Sequence, residues 1–570
     1  MIATEFRTLI DALLAAPVQR EFVTSWIDED ERETVNFGEF RRRASIQAAL
    51  LREHGVRTGD RVIIIMPQGI PAMTVFVGAM MLGAVPAILA YPNFKVEADK
   101  YRFGLAGVTA NLRARAVVID EQFPDDMLEY VALGDSAELV RASDATAALA
   151  AAGVPVYEAE PESLAFLQHS AGTTGLQKGV ALTHAAVLRQ LRSLTQVLQI
   201  DGSADRVYSW LPLYHDMGLI ACFMLPLVCH MPVVMQSPLD WVMHPESMLQ
   251  IISEYRCSLA WLPNFTFQFV PRRTPPERWG QYELSSVRAL INCSEPVRAA
   301  SMDEFYRAVA PVGLKRSAMQ SSYAMAENVF AVTQSGINGR MEPARVWADG
   351  RQFRSEHRIV SVAEETDGAI SFVSSGQLLP GNEVRIASDS GEIVPNGQVG
   401  EILIKSDCLF EGYYNRPDLT AKALVDGWYH SGDLGFYLDN ELYVVGRRKD
   451  LLIIGGENIY PQDIEEIATA NPAIHDGRAI AMGLYNPDLG TEDIVLVAEV
   501  EREELLENAA AIEREVRTRI VAGTGVAVRT IFLKPPKWLV KSTAGKPARS
   551  TTREKLLREH PELHQETSDL

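Results

Sequence analysis

Short β-branched runs alternate with helix-length segments through the first two-thirds of the chain, and this alternation sharply limits the possible folds. The run VIIIMP at 62–67 predicts a strand, residues 72–82 predict a helix, and VPAILA at 85–90 predicts a second strand. ARAVVID at 114–120 predicts a further strand. Strands that helices separate and cover form parallel sheets buried on both faces. The sequence therefore predicts an α/β fold built on parallel, helix-covered sheets.

The most apolar stretch of the chain, residues 62–91, is interrupted by Pro67, Pro71 and Pro86. These interruptions favour buried strands and a buried helix over a membrane span. The first eleven residues carry charged side chains and lack the unbroken apolar core of a signal peptide. We expect a cytoplasmic protein without a membrane span.

Composition excludes several classes of function. The 570 residues include 54 Lys and Arg against 74 Asp and Glu, a net charge of −20, so nucleic acid is not expected as a partner. With 47% hydrophobic residues the chain is globular rather than disordered. Five scattered cysteines without CxxC spacing predict neither a disulfide framework nor a zinc site. They are Cys222, Cys229, Cys257, Cys293 and Cys408.

The pattern changes after residue 383, which predicts a second kind of architecture. Short strands separated by Gly, Pro and Asp turns indicate a smaller β-rich unit at about 380–448. Beyond it, helices and strands alternate in the manner of a compact α+β domain. We therefore expect a large domain at 1–448 and a small, mobile C-terminal domain at 449–570. Residues 339–366 are charged and weakly periodic, as in a surface excursion.

The strongest chemical signal is SAGTTGLQKGVALTH at 170–184. Backbone N–H groups of such a loop can approach phosphate oxygens closely, and Lys178 adds positive charge. It is not a Walker A loop, because Gln177 stands where that motif has glycine. The alternative is an ordinary polar turn between a strand and a helix. The small and hydroxyl residues proposed to bind phosphate are Ser170, Gly172, Thr173, Thr174 and Gly175.

This loop resembles the phosphate loop of the adenylate-forming superfamily, which includes acyl-CoA synthetases, fatty acyl-AMP ligases, nonribosomal adenylation domains and luciferases. It departs from the usual pattern at Ala171 and Gln177. Five further motifs follow in the superfamily's order, so the chain is identified as a member. They are WLPLYHDMGL (210–219), SSYAMAE (321–327), YHSGDLG (429–435), VVGRRKDLLIIGGENIYPQDIE (444–465) and KSTAGKPAR (541–549).

The resemblance implies that ATP activates a carboxylic acid to an acyl-adenylate with release of pyrophosphate. Two anions must meet, so such a site needs cations and positioning more than a base. Glu327 is implied as the Mg²⁺ ligand and Asp433, in a tight turn after a strand, as the acceptor from the ribose hydroxyls. Arg447 would contact ribose or phosphate. Lys546 would reach the bridging oxygen and the carboxylate.

On the acid side, the resemblance places His215 beside the incoming carboxylate, as a gate to the acyl channel. Ala324 stands where the superfamily has glycine, which would narrow the site. Phe265, with the neighbouring Phe267 and Phe269, would suit an acyl chain or an aryl ring, or would simply be core aromatics. Tyr323 could stack on adenine. The residues expected around the acid and adenine are Asn264, Phe265, Cys293, Ser294, Glu295, Ser322, Tyr323, Ala324 and Met325.

The acyl acceptor is the main open alternative. The large domain resembles fatty acyl-AMP ligases, which load the phosphopantetheine arm of an acyl carrier protein, and 339–366 falls where they carry an insertion that blocks the use of CoA. GGENIYP at 455–461 instead resembles the CoA-using branch. Lys449 and Asp450 form the candidate hinge for the C-terminal domain. We predict a ligase that loads a carrier protein. The alternatives are an acyl-CoA synthetase, an enzyme that adenylates a small acid such as nitrite, and a nucleotide-binding sensor.

Overall fold

The computed structural model describes residues 6–28, 30–92, 98–131, 137–146, 156–169, 178–336, 342–454, 457–486, 491–524, 526–541 and 547–563. The α-helices in these parts are α1 (Leu9–Ala15), α2 (Phe37–Glu53), α3 (Ile70–Met81), α4 (Ala98–Leu112), α5 (Asp125–Leu128), α6 (His184–Val197), α7 (Leu225–Cys229), α8 (Pro238–Met243), α9 (Ser247–Tyr255), α10 (Thr266–Arg273), α11 (Ala299–Val309), α12 (Gly350–Glu356), α13 (Pro417–Ala423), α14 (Pro461–Thr469), α15 (Ala509–Thr524) and α16 (Arg549–Glu559).

The strands are β1 (Glu21–Trp26), β2 (Arg32–Asn36), β3 (Arg61–Ile65), β4 (Val85–Ile88), β5 (Ala116–Ile119), β6 (Glu138–Arg141), β7 (Leu164–His169), β8 (Gly179–Thr183), β9 (Val207–Ser209), β10 (Val233–Gln236), β11 (Leu259–Leu262), β12 (Ala289–Asn292), β13 (Met319–Ala324), β14 (Ala331–Gln334), β15 (Arg345–Asp349), β16 (Ala369–Val373), β17 (Gln377–Leu378), β18 (Asn382–Ala387), β19 (Gly400–Ser406), β20 (Gly412–Tyr413), β21 (Leu424–Val425), β22 (Trp428–Leu438), β23 (Glu441–Arg447), β24 (Leu452–Ile454), β25 (Glu457–Ile459), β26 (Ile474–Asn486), β27 (Thr491–Val500) and β28 (Thr530–Lys534).

The largest sheet has nine strands in the order β17-β14-β13-β12-β11-β9-β10-β1-β2. Its six central strands are parallel to one another, while β14, β17 and β2, at the two edges, each pair antiparallel with the neighbouring strand. The carboxyl ends of parallel strands meet at one edge, where ligands bind in open α/β sheets. The segments that follow β9, β11, β12 and β13 are therefore neighbours at that edge.

A second sheet, β4-β3-β5-β6, is wholly parallel. The predicted strands at 62–67, 85–90 and 114–120 correspond to β3, β4 and β5, and α3 lies within two residues of the predicted helix. Every side chain of α3 except that of Pro71 is buried, because the helix is packed on all sides. The predicted α/β fold with parallel, helix-covered sheets is confirmed.

Residues 382–447 form the predicted antiparallel unit, in which β18, β19, β22, β21 and β23 make one sheet. The prediction of a tight turn at Asp433 was wrong, because this residue lies inside β22. The ladder with β19 shifts register here, with one residue of β19, Ile402, facing three of β22, residues 431–433. Such a bulge bends the strand and turns a side chain out of the regular ladder.

The C-terminal part has a sheet β26-β27-β28 and a hydrophobic core of its own. Helix α15 begins at Ala509, directly after a 3₁₀ turn at Glu503–Asn508. Division of the chain at residues 448 and 449 stays a prediction. Within the parts that the structure describes, no helix is both long and apolar enough to cross a membrane.

The segment at 339–366 is structured where it is described. It forms β15 and α12, and β15 pairs with β16. Phe353 of α12 is buried and stacks on Tyr460, the residue before α14, with 5.2 Å between ring centres. The surface excursion is thus packed against the beginning of the C-terminal part.

Candidate active site

A cleft of about 2160 Å³ lies between the carboxyl edge of the large sheet and the C-terminal part. Five predicted site residues line it: His215, Asn264, Phe265, Ser294 and Glu295. They follow β9, β11 and β12, and they converge because those strands are parallel neighbours. Cys293, Ala324 and Met325 are not among the residues that line the cleft. Cys293 is completely buried.

Asp433 is held by a cross-strand partner and by a distant tyrosine. In the β22–β23 ladder it stands opposite Arg447, whose Nε lies 3.4 Å from Asp433 Oδ1. Tyr323, at the carboxyl end of β13, donates its hydroxyl to Asp433 Oδ2 over 2.7 Å. Ser431 Oγ accepts the backbone N–H of Asp433, which fixes the bulge. This carboxylate therefore has a defined orientation.

The buried environment of Asp433 disfavours the ionised form of its carboxyl group. Burial raises the pKa of this carboxyl, while the positive charge of Arg447 and the Tyr323 hydroxyl lower it in part. The Asp433 side chain is 16% exposed, against 57% for Arg447. Asp433 thus offers a partly desolvated oxygen acceptor, of the kind that would hold a diol.

Glu327 lies in a tight turn directly after β13. The backbone N–H of Met325 donates to the carbonyl of Phe330 over 2.9 Å. Within this loop Val329 has φ +60° and ψ −54°, and Phe330 donates to Asn328 across it, which makes a strained γ-turn. A β-branched residue with positive φ is rare and often occurs near functional groups. The sequence contains no local signal for it.

Among the described residues, the Glu327 carboxylate accepts a hydrogen bond from the Tyr413 hydroxyl, which donates to Oε1 over 2.7 Å. No hydrogen bond to Oε2 is found among the described residues. They also contain no cluster of three His, Cys, Asp or Glu side chains that could hold a metal. Mg²⁺ commonly binds to one or two carboxylates together with substrate phosphates. A single carboxylate such as Glu327 is compatible with that mode of binding, and its use as a Mg²⁺ ligand stays a prediction.

Three cations converge near these two carboxylates. Lys178 Nζ lies 4.4 Å from the centre of the Tyr413 ring. Burial lowers the pKa of Lys449, and the positive charges of Arg447 and Lys178 lower it further. We expected Lys449 only as a hinge residue, but its charge belongs to this cluster. The run Arg447-Arg448-Lys449 at the end of β23 was the available signal.

His215 and Asn264 define the other side of the site. His215 Nδ1 lies 2.7 Å from Asp216 Oδ1, and a π-helical segment, Met217–Met224, begins two residues later. Such segments are frequent at functional sites. Asn264 accepts from the Asn292 amide and from the backbone N–H of Arg298, and it donates to Ser301. The Asn264 side chain is thereby fixed at the edge of the cleft.

Ser294 and Glu295 lie where β12 leaves the sheet. Ser294 has φ +69°, a left-handed conformation that is uncommon outside glycine. The Glu295 carboxylate accepts the backbone N–H of Phe265 over 3.1 Å. Two predicted nucleotide contacts have internal partners, since Ser322 donates to the Thr333 carbonyl and Tyr323 to Asp433. Stacking of Tyr323 on adenine stays a prediction.

Six predicted site residues lie outside the described residues, namely Ser170, Gly172, Thr173, Thr174, Gly175 and Lys546. The segments around them are described. Lys178 follows the first group and precedes β8. Lys541 and Pro547, the described residues on either side of 542–546, form an antiparallel β-bridge.

Ion pairs connect the two sides of the cleft. Arg298 lies 3.4 Å from Asp463 and 3.1 Å from Glu466, both on α14. Arg272 of α10 lies 2.6 Å from Asp476. Asp450, the second hinge candidate, lies 3.8 Å from Arg549. The pairs of Arg298 and Arg272 hold the C-terminal part over the acid side of the cleft, whereas Asp450 and Arg549 both lie within the C-terminal part.

The AMP-binding enzyme family model matches residues 13–414. The chain belongs to the AMP-binding enzyme family. A 4-hydroxyphenylalkanoate adenylyltransferase of Mycobacterium tuberculosis is 30% identical over 548 residues, covering 92% of this chain and 86% of that protein. A long-chain-fatty-acid–AMP ligase of the same species is 30% identical over 535 residues, covering 89% of both.

A solved structure supports the same assignment. It comes from a study of fatty acyl-adenylate ligases from E. coli and L. pneumophila, and it superposes with a TM-score of 0.90. The two chains are 28% identical, and 99% of each is covered. This AMP-binding enzyme is therefore an adenylate-forming ligase that uses ATP, as the ordered motifs predicted.

Proposed function

We propose that this AMP-binding enzyme activates a fatty or aryl carboxylic acid as its acyl-adenylate and passes the acyl group to the phosphopantetheine thiol of an acyl carrier protein. The observation that carries the proposal is the shared sheet edge. His215 and Asn264 follow β9 and β11 at that edge, and Glu327 follows β13. Tyr323, at the end of β13, donates its hydroxyl to Asp433 of β22. The relatives named above include both an aryl and a fatty acid enzyme at 30% identity, so both acid classes belong in the proposal.

In the proposed reaction a carboxylate oxygen of the acid attacks the α-phosphorus of ATP. The new bond is the acyl–phosphate bond, and the bond to the pyrophosphate oxygen breaks, so pyrophosphate leaves with both electrons. Asp433 accepts the ribose hydroxyls, and Arg447 contacts ribose or phosphate. Lys178 and Lys449 balance phosphate charge as it shifts toward the leaving group. Lys546 serves the bridging oxygen.

Glu327 is the proposed holder of Mg²⁺, which would supply charge neutralisation on the triphosphate. His215, which is paired with Asp216, would lie beside the incoming carboxylate. Because both reactants are anions, the gain comes from orientation and from cations fixed in advance, with no general base required. The substrate roles of these residues are part of the proposal.

The division into domains at 1–448 and 449–570 is proposed with it, and Lys449 and Asp450 form the hinge. After adenylation the C-terminal domain would reorient, withdraw Lys546 and open a path for the incoming thiol. We place the reaction in the cytoplasm, since all five cysteines are buried, unpaired thiols of the kind kept in reducing compartments.

Pyrophosphate release tests the first step. The purified protein is incubated with Mg-ATP and a panel of short, medium and long fatty acids, aryl acids and nitrite, and products are identified by mass spectrometry. The best acid is then supplied with CoA or with a phosphopantetheinylated carrier protein. An adenylate that persists with CoA and is cleared by the carrier supports the proposal. Rapid acyl-CoA formation would replace it with an acyl-CoA synthetase.

The contact of Phe353 with Tyr460 supports the choice of a carrier, because it ties the 339–366 segment to the beginning of the C-terminal part. Phe353→Ala should loosen that contact and raise CoA-dependent turnover relative to carrier-dependent turnover. Arg351→Ala, on the exposed side of α12, is the matched control. A Phe353→Ala protein that still adenylates but gains no CoA turnover would contradict the blocking role of this segment.

A further inference from the structure

Four aromatic side chains form a compact group beside the cleft, here termed the aromatic wall: Trp210, Trp241, Phe265 and Phe269. The indole rings of Trp210 and Trp241 are stacked nearly parallel, at 4° and 3.8 Å between centres. Phe265 meets both indoles with its edge at 5.9 Å, and Phe269 lies 5.6 Å from Trp241. The rings are thus arranged at distances typical of attractive aromatic pairs.

The aromatic wall borders the acid side of the site. Trp210, Phe265 and Phe269 line the same cleft as His215, whereas Trp241 is fully buried behind Trp210. Trp210 comes directly after β9, five positions before His215. Phe265 is next to Asn264, which the hydrogen bonds described above hold in place. The wall is therefore a short distance from the place proposed for the carboxylate.

The wall is stiff. Trp210 is 6% exposed and is fixed from behind by its stacked partner, which is 0% exposed. A flat ring that packs on such a surface has few rotatable bonds to order and gains favourable ring–ring geometry. A saturated chain must order many rotatable bonds and gains only apolar contact. The geometry thus favours a rigid aromatic group over a flexible chain.

We infer that this enzyme selects a carboxylic acid with an aromatic ring a short spacer away from the carboxylate, and that Trp210 and Phe265 recognise the ring. The inference rests on the proposed function, since it names the class of acid for the same site. A saturated fatty acid of similar size is the competing substrate, and its use is an outcome of the test.

Two nine-carbon acids provide the test, 3-phenylpropanoic acid and nonanoic acid. Pyrophosphate release with Mg-ATP gives kcat/KM for each acid with the same protein. We expect 3-phenylpropanoic acid to be favoured about tenfold, the size expected for two ring–ring contacts. Equal values, or a preference for nonanoic acid, would overturn the inference.

Variants of the aromatic wall test whether it causes the preference for the aromatic acid. Trp210→Leu should lower kcat/KM for 3-phenylpropanoic acid about tenfold while changing the value for nonanoic acid less than about threefold. Phe265 is 38% exposed, so Phe265→Leu provides a second variant that spares the core. Trp279→Leu, an indole that does not line the cleft, is the control. Equal losses on both acids in both variants would refute recognition of the ring.

Failure of the proposed function and failure of the aromatic preference give different results. If no acid in the panel leads to the release of pyrophosphate from ATP, the proposed function is wrong. If nonanoic acid is adenylated and the wall variants leave the ratio of the two acids unchanged, only the aromatic preference fails. Binding of 3-phenylpropanoic acid in the absence of ATP can be measured through the quenching of tryptophan fluorescence, which gives a readout besides activity. That signal should be weakened in Trp210→Leu and retained in Trp279→Leu.

Discussion

Removal of the Tyr323 hydroxyl should weaken the binding of ATP. The Tyr323 hydroxyl lies 2.7 Å from Asp433 Oδ2, and the Tyr323 residue is 8% exposed. Tyr323→Phe keeps the ring and its packing but leaves the buried carboxylate without this donor. A hydrogen bond to a charged group contributes about 1.5–3 kcal/mol. At about 1.36 kcal/mol per factor of ten, ATP should bind roughly 10 to 150 times more weakly.

The pH profile gives a second, independent readout. The Tyr323 hydroxyl lowers the pKa of Asp433, while burial raises it above its usual value. Without the hydroxyl that pKa rises further. The ionised form that accepts from ribose is lost as the pH falls through this pKa. The acid side of the profile should therefore move to higher pH in the Tyr323→Phe protein.

Calorimetric titration with ATP measures the affinity, and pyrophosphate release between about pH 5 and 8 measures the profile. Tyr437→Phe is the matched control, because the Tyr437 hydroxyl donates to Asn440 in an exposed turn. It should leave both measurements unchanged. If a folded Tyr323→Phe protein binds ATP with normal affinity and keeps its acid limb, the orientation of Asp433 by Tyr323 is refuted.

Three further predictions concern the metal, a buried charge and the thiols. Glu327→Gln should lower Mg²⁺-dependent pyrophosphate release by about a hundredfold, because a neutral amide cannot replace the carboxylate as a ligand; undiminished turnover across a Mg²⁺ titration would remove the assignment. Arg288→Ala should destabilise the fold by about 2 kcal/mol in urea unfolding, because it strips two hydrogen bonds from the buried carboxylate of Asp205; exposed Arg307→Ala is the control, and equal midpoints would disprove the role. Thiol titration with a disulfide reagent at pH 8 should detect no cysteine before denaturation, since burial raises the pKa of the Cys222 thiol to about 12 and the others are buried too; rapid labelling of the native protein would contradict this.

Local regularities explain why much of the architecture could be predicted from sequence. The apolar runs at 62–67 and 85–90 are long enough to be strands and too short to span a membrane, and they became β3 and β4. Ordered motifs at 170–184 through 541–549 predicted the family. The candidate site residues could be named for the same reason, because each carries its chemistry within a short, recognisable run of neighbours.

Other features escaped prediction because they depend on distant parts of the chain. A glycine after a serine predicted a turn at Asp433, yet pairing with β23 keeps the segment in a strand with a bulge. The γ-turn at Val329 has no sequence signature, since packing alone holds a β-branched residue at positive φ. Lys449 was predicted only as a hinge residue, because two of the charges that act on it, Asp433 and Lys178, come from distant parts of the chain.

The sequence by itself therefore determined which elements form and which chemical groups the chain carries. Both are written in local patterns of apolar periodicity and in short motifs. Tertiary structure alone decided which groups meet. Tyr323 reaches Asp433 across 110 positions, and Trp210 stacks on Trp241, because sheet order and close packing bring together residues that no local pattern relates. The orientation of the Asp433 carboxylate and the shape of the aromatic wall both depend on these long-range contacts.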